Sequence, residues 1–120
     1  MAFKRFEDID AWQKGRELTR TVYKYTRNDG FRPDFGLRDQ ITRASVSIMN
    51  NIAEGFDGGS DAGFVRFLVY AQRSATEVQS CLYVALDNAY IDPDEFNVAY
   101  GCAGDVKKLI GGLIKYLKSC

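Results

Sequence analysis

The sequence predicts an all-α protein, an up-down-up-down antiparallel four-helix bundle. Apolar residues recur every three or four positions through four long segments. No segment sustains the period-two alternation of a strand, and no Asn-Gly or Asp-Gly turn stands between β-branched runs. The only two prolines, Pro33 and Pro93, fall between the periodic segments, which is where helical proteins tolerate them. Helices joined by loops of a few residues pack as antiparallel neighbours.

Residues 1–7 read as a short tail carrying Phe3 and Phe6. The first helix runs from about residue 8 to 27, with Asp8 or Asp10 as its cap and Ile9, Trp12, Leu18, Val22 and Tyr25 as its buried stripe. Asn28-Asp29-Gly30 ends it, glycine tolerating the left-handed conformation of a helix C-terminus. Asp34 caps the second helix, 35–56, whose inner side carries Leu37, Ile41, Ala44, Ile48 and Ile52 beside the small residues Ser45, Ser47 and Ala53. The other helices can approach this one closely.

Asp57-Gly58-Gly59-Ser60 breaks the chain, and Ser60 or Asp61 caps the third helix, 61–90. Phe64, Phe67, Leu68, Ala71, Ala75, Val78, Leu82, Ala85 and Ala89 form its inner stripe. Asp92-Pro93 starts the fourth helix, 93–118, with proline at the first position and Asp94-Glu95 in the first turn. Its stripe is Phe96, Tyr100, Ala103, Val106, Ile110, Leu113 and Leu117. Gly101, Gly104, Gly111 and Gly112 each weaken it by about 1 kcal/mol against alanine, or mark close helix contact.

At 120 residues the chain has room for one core, which buries roughly two-thirds of the unfolded surface and needs no disulfide or metal. Three cysteines without CxxC spacing and no histidine argue against a disulfide framework or a Cys/His zinc site, and fit a reducing cytoplasm. The N-terminal segment carries charges where a signal peptide has its apolar core. No run approaches a membrane span.

Catalytic chemistry finds little support. Without histidine, triads and proton shuttles are excluded, and no glutamate stands in the Glu-x-x-His motif of di-iron bundles. Asp57-Gly58-Gly59-Ser60 lacks the Gly-Lys-Ser/Thr end of a phosphate loop and reads as a turn. Cys81 reads as a small core hydrophobe and Cys120 as an exposed labelling site. The expectation is a non-enzyme without cofactor or metal.

Charge is zero overall but unevenly placed. Arg16, Arg20, Lys24 and Arg27, spaced four, four and three, form a stripe on one face of the first helix. Residues 74–106 hold Glu77, Asp87, Asp92, Asp94, Glu95 and Asp105 and neither Lys nor Arg. A solvated surface matched to the helix dipole explains the fourth helix but not a basic stripe that starts before the last turn of the first. Two readings remain for that stripe: it binds phosphates, or it faces the acidic 77–105 surface of a neighbouring subunit, a head-to-tail contact that can close into a ring. Tyr23, Tyr70, Tyr83, Tyr90 and Tyr116 do not all fit the inner stripes, which favours oligomerisation.

Several stretches resemble one family: Asp10-Ala11-Trp12-Gln13-Lys14 with Glu17-Leu18, Phe35-Gly36-Leu37-Arg38-Asp39-Gln40-Ile41, Arg43-Ala44-Ser45-Val46-Ser47-Ile48, Asn51-Ile52-Ala53-Glu54-Gly55, and Phe64-Val65-Arg66-Phe67-Leu68 with Glu77. The family is that of the 23S rRNA intervening sequence proteins, also called S23 ribosomal protein-like. The resemblance covers nearly the whole chain. It implies a small helical bundle forming homopentameric rings, often with a positive surface. A similar protein is the accessory variability factor of diversity-generating retroelements, which partners a reverse transcriptase and nucleic acid. Met49 stands where the family usually has proline, so the kink that proline gives relatives is not implied here.

Arg38, Asp39, Arg43, Asn51 and Glu54, all in the matching stretches, read as structural residues that knit the second helix to its neighbours and fix bundle register. The functional expectation is a cytoplasmic homo-oligomer that binds nucleic acid, RNA foremost, through Arg16, Arg20, Lys24 and Arg27. The alternative is a scaffold for a protein partner, or a reverse-transcriptase accessory-type protein, without nucleic-acid affinity of its own.

Overall fold

The computed structural model describes residues 3–120. A single 3-10 turn, Phe6–Asp8, precedes four helices: α1 (Asp10–Tyr25), α2 (Phe35–Asp57), α3 (Asp61–Asp87) and α4 (Pro93–Lys118). Each helix packs on two others, α1 on α2, α2 on α3, α3 on α4 and α4 on α1, in an all-α four-helix body of 47 × 21 × 19 Å.

Contacts at all four interfaces run in opposite sequence order. Gly15 of α1 meets Ile48 and Met49 of α2, while Thr19 meets Ser45. Ser47 of α2 bonds Ser74 of α3, and Gly55 abuts Phe64 and Phe67. Gln72 and Gln79 of α3 reach Lys107 and Tyr100 of α4. Lys14 and Tyr25 of α1 meet Asp105 and Glu95 of α4. Antiparallel neighbours give this order.

The core follows the apolar stripes. Leu18, Val22, Ile41, Ile48, Ile52, Leu68, Val78, Leu82, Val106 and Ile110 are fully buried. Burying such aliphatic side chains contributes about 1.5–3 kcal/mol each. Ser45 lies in the same core, and its hydroxyl donates to the Thr42 carbonyl one turn back, so no polar atom is left bare.

Three helices start on the residues their caps require. Asp34 accepts from the Leu37 amide, and Ser60 from the Gly63 amide. Asp92 and Glu95 form a reciprocal capping box around Pro93. The cap of α1 differs from the expectation. Ile9, fully buried, occupies that position with no side-chain bond, and neither Asp8 nor Asp10 caps. Hydrophobic docking sets this entry; the Gln13 amide donates instead to the Glu7 carbonyl across the 3-10 turn. From residue 3 on, the expected tail is packed: Phe3 and Phe6 are half-buried against the core, and Phe6 lies edge-on to Trp12. Residues 1–2 lie outside the description.

Other departures have local causes. Trp12, Phe67, Tyr100 and Leu113 are half-buried rather than core. α3 stops at Asp87, and Ala89, placed by periodicity on its inner stripe, is exposed with φ 59°, a left-handed turn residue. Gly30 does not take the left-handed conformation; Gly59 does, at φ 85°. Tight helix contact falls at Gly55 of α2, where an added Cβ would lie 2.7 Å from Phe67 Cβ. The α4 glycines are not close-contact points: Gly101 and Gly112 face open space.

Candidate nucleic-acid interface

The buried stripe of α1 (Ala11, Gly15, Leu18, Val22, Tyr25) fixes which way its other side chains face. At 100° per residue, Arg16, Arg20 and Lys24 fall on the side opposite to it, whereas Arg27, expected on the same helix, lies in the turn after α1 ends at Tyr25. All four are exposed, and none is within salt-bridge reach of a carboxylate among the described residues. Arg16 lies over the Trp12 ring of its own helix at 6.0 Å. Arg16 and Arg20 line a shallow depression together with Asp10, Gln13, Lys14, Glu17 and Leu109 of α4.

The basic residue beside the stripe behaves differently. Lys14 is held by Glu17 at 3.3 Å and faces Asp105 of α4 at 4.0 Å. Its bond to Glu17 and the nearby carboxylate charges raise its pKa. Lys14 therefore belongs to the α1–α4 contact, whereas the stripe is left to solvent.

Arg27 joins a second surface at the α1–α2 end. An open groove of about 540 Å³ is lined by Tyr23, Arg27, Phe35, Arg38, Asp39 and Thr42, with Thr26 at its floor. Its base is braced. Phe31 of the loop between α1 and α2 is fully buried and stacked on Tyr90 at 5.2 Å. The Asn28 amide donates to the Tyr90 carbonyl, and the Tyr90 hydroxyl donates to Asp34 Oδ2 at 3.0 Å. That bond to the Asp34 carboxylate holds the Tyr90 phenol above its usual pKa. The Tyr25 hydroxyl donates to the Glu95 carbonyl. These contacts tie the α1–α2 loop to the α3–α4 loop.

The structural residues of α2 bond locally rather than across helices. Arg43 pairs with Asp39 at 3.0 Å along α2. Arg38 donates to the Arg32 carbonyl at 2.7 Å and lies over the Phe35 ring at 5.4 Å. The Asn51 amide donates to the Ser47 carbonyl and hydroxyl. Glu54 is exposed, bordering the same shallow groove as Tyr23, Asp39, Arg43 and Asn51. Polar contacts that do cross helices come from Thr19, Ser47, Gln72, Gln79, Tyr25, Cys102 and Lys107, beside the Lys14–Asp105 pair.

The acidic stretch is partly committed to structure. Asp92 and Glu95 cap α4, and Asp105 faces Lys14. Glu77, Asp87 and Asp94 are exposed without a cationic partner among the described residues. Beside them Tyr83, Phe96 and Tyr100 form one ring cluster at 4.9–5.7 Å, with Tyr83 half exposed. Cys81 and Cys102 are buried and Cys120 is exposed. Burial pushes both inner thiols up in pKa, helped by Glu77 at Cys81 and by Glu17 at Cys102. No cluster of three or more His, Cys, Asp or Glu side chains suited to a metal occurs among the described residues, and no helix there is long and apolar enough to cross a membrane.

Phe35 is the surface residue that periodicity passes over. It stands two residues before Leu37, about 200° around the helix, so the α2 stripe places it off the core. That phase, together with its place at the first helical position, is the signal in the sequence.

A short four-helix bundle with an outward basic stripe on its first helix is the class of protein these features define. Residues 7–112 match the family model described as 23S rRNA-intervening sequence protein, and the chain belongs to that family. A crystal structure of a protein of unknown function from the S23 ribosomal protein family of Bacteroides thetaiotaomicron is similar in fold. The TM-score is 0.79 at 26% identity, over 88% of this chain and 98% of that one. No curated protein matches the chain.

Proposed function

We propose that this protein is a non-enzymatic, homo-oligomeric bundle of the cytoplasm that binds nucleic acid, RNA foremost, through Arg16, Arg20, Lys24 and Arg27. One observation carries the reading: Arg16, Arg20 and Lys24 share the outward face of α1, Arg27 follows in the turn after it, and none is neutralised by a carboxylate among the described residues. Unpaired cations in a row attract a polyanion, and release of its counterions drives binding whatever the base sequence. The family's name, drawn from 23S rRNA, agrees with RNA as the polyanion. A homopentameric ring, the assembly the sequence resemblance implies, would repeat the stripe five times and raise avidity without a new contact.

A double charge reversal, Arg20→Glu with Lys24→Glu, tests it by anisotropy of a fluorescein-labelled structured RNA. Both side chains are exposed, so the fold should persist. Binding is expected to fall at least tenfold at low salt. Unchanged affinity in a folded variant would remove the stripe from the binding surface.

A second reading is favoured by the exposed Glu77, Asp87 and Asp94 beside the Tyr83–Phe96–Tyr100 cluster. That surface complements the stripe in charge, and a head-to-tail contact between the two would make the protein an assembly scaffold for a protein partner, a reverse transcriptase among them. An oligomer that dissociates as salt rises, together with no RNA binding, is its signature.

A further inference from the structure

We infer that the groove at the α1–α2 end is a stacking site for an unpaired base, so that the nucleic acid this protein holds is single-stranded at that point. The inference rests on the nucleic-acid reading above and names the ligand class within it. Phe35 is 73% exposed, the most exposed large apolar side chain described, and Tyr23, which lines the same groove, is 44% exposed. Little of the Phe35 ring is buried by its own fold, so most of it is available to a ligand.

The groove around these rings is cationic. Arg38 lies over the Phe35 ring at 5.4 Å, with one guanidinium nitrogen held by the Arg32 carbonyl. That bond fixes the side chain while leaving further N–H donors for a phosphate. Arg27 lines the same groove and has no carboxylate partner among the described residues. The one acid there, Asp39, is paired with Arg43 at 3.0 Å. Exposed rings between unpaired guanidinium groups are the combination that binds single strands, bases stacking on the aromatic faces while arginines follow the backbone. A second protein's apolar surface would leave those guanidinium groups without partners. A regular duplex offers no free base face to Phe35.

Phe31, Tyr90 and Asn28 anchor the loop that leads into Phe35, so the backbone carrying the ring is held in place. The groove also continues the stripe. Arg27 is its last member, so a strand lying along α1 runs directly to Phe35.

The test compares Phe35→Ala, Phe35→Trp and the unaltered protein against a fluorescein-labelled twelve-nucleotide poly(A) RNA, its DNA counterpart and a twelve-base-pair RNA duplex. Loss of the ring should weaken single-strand binding roughly five- to hundredfold, by the worth of one stacked base. Duplex binding should hardly change. The tryptophan variant should restore affinity, and its fluorescence should be quenched by the single strand. Equal loss in RNA and DNA assigns the contact to the base face, and loss in RNA alone adds a 2′-hydroxyl contact. Alanine and unaltered proteins with the same single-strand affinity would overturn the site while leaving the stripe standing. So would a Phe35→Ala variant whose only change is a smaller sedimenting species, which would assign the ring to a subunit contact. Failure of the unaltered protein to bind any of the three at low salt would overturn both readings.

Discussion

At Gly55 the bundle leaves no room for a methyl group. An alanine there places its Cβ 2.7 Å from Phe67 Cβ and 3.1 Å from Phe64 Cδ1, so α2 and α3 must separate. Overpacking of this kind costs about 1–3 kcal/mol. Gly101 and Gly112 present the opposite case, since nothing lies near them and alanine helps the helix by up to about 1 kcal/mol. Urea unfolding of Gly55→Ala and Gly101→Ala should therefore move in opposite directions. A neutral Gly55→Ala would mean that α2 and α3 yield easily. The sequence alone shows all of these glycines as equivalent breaks in helix propensity; only the neighbour across the interface separates them.

The cysteines divide the same way. Cys81 and Cys102 have folded pKa values above the ordinary thiol range, so their protonated forms are favoured in the fold and their thiolates appear later than in the unfolded chain. The stability this contributes is present below the usual thiol pKa of about 8.5 and is lost as pH rises through the folded values. At pH 8 a thiol reagent should label Cys120 quickly and the other two only on the timescale of opening, with all three equal in denaturant. Fast labelling of two or three native thiols would contradict the packing. Cys120 as the exposed one, and Cys81 on the core face, can be read from position and periodicity; Cys102 needed the α1–α4 contact.

Among the elements, α4 was legible in its bounds. Asp92, Pro93 and Glu95 spell out a start, and the structure forms every bond that spelling implies. α1 was less legible, because its entry depends on Ile9 being buried rather than on an acidic cap. The end of α3 was misplaced for a related reason: Ala89 continues the apolar period, yet the turn into the Tyr90–Ile91 segment needs a left-handed residue at that point. The stripe on α1 was visible because its spacing is regular. The groove beside it was not, since it joins residues from two helices and the loop between them, which no single helical period links.

At the scale of the whole molecule, a chain of zero net charge still carries one local run of cations and one local run of acids. Cations gather on the outward face of α1. Residues 74–106 hold six acids and neither Lys nor Arg, and capping and the Lys14 contact hold Asp92, Glu95 and Asp105 among them. The stripe has no carboxylate partner among the described residues, so it keeps its local field despite neutral bulk composition. The predicted consequence is binding governed by local phosphate contacts, not by overall attraction.

The salt dependence of RNA binding by the unaltered protein tests that claim most directly. Anisotropy titrations of a labelled structured RNA between 50 and 200 mM salt should give a log–log slope of about −3 to −4, the value for four phosphate contacts per bundle. A flat slope, or no binding at the lowest salt, would contradict the account.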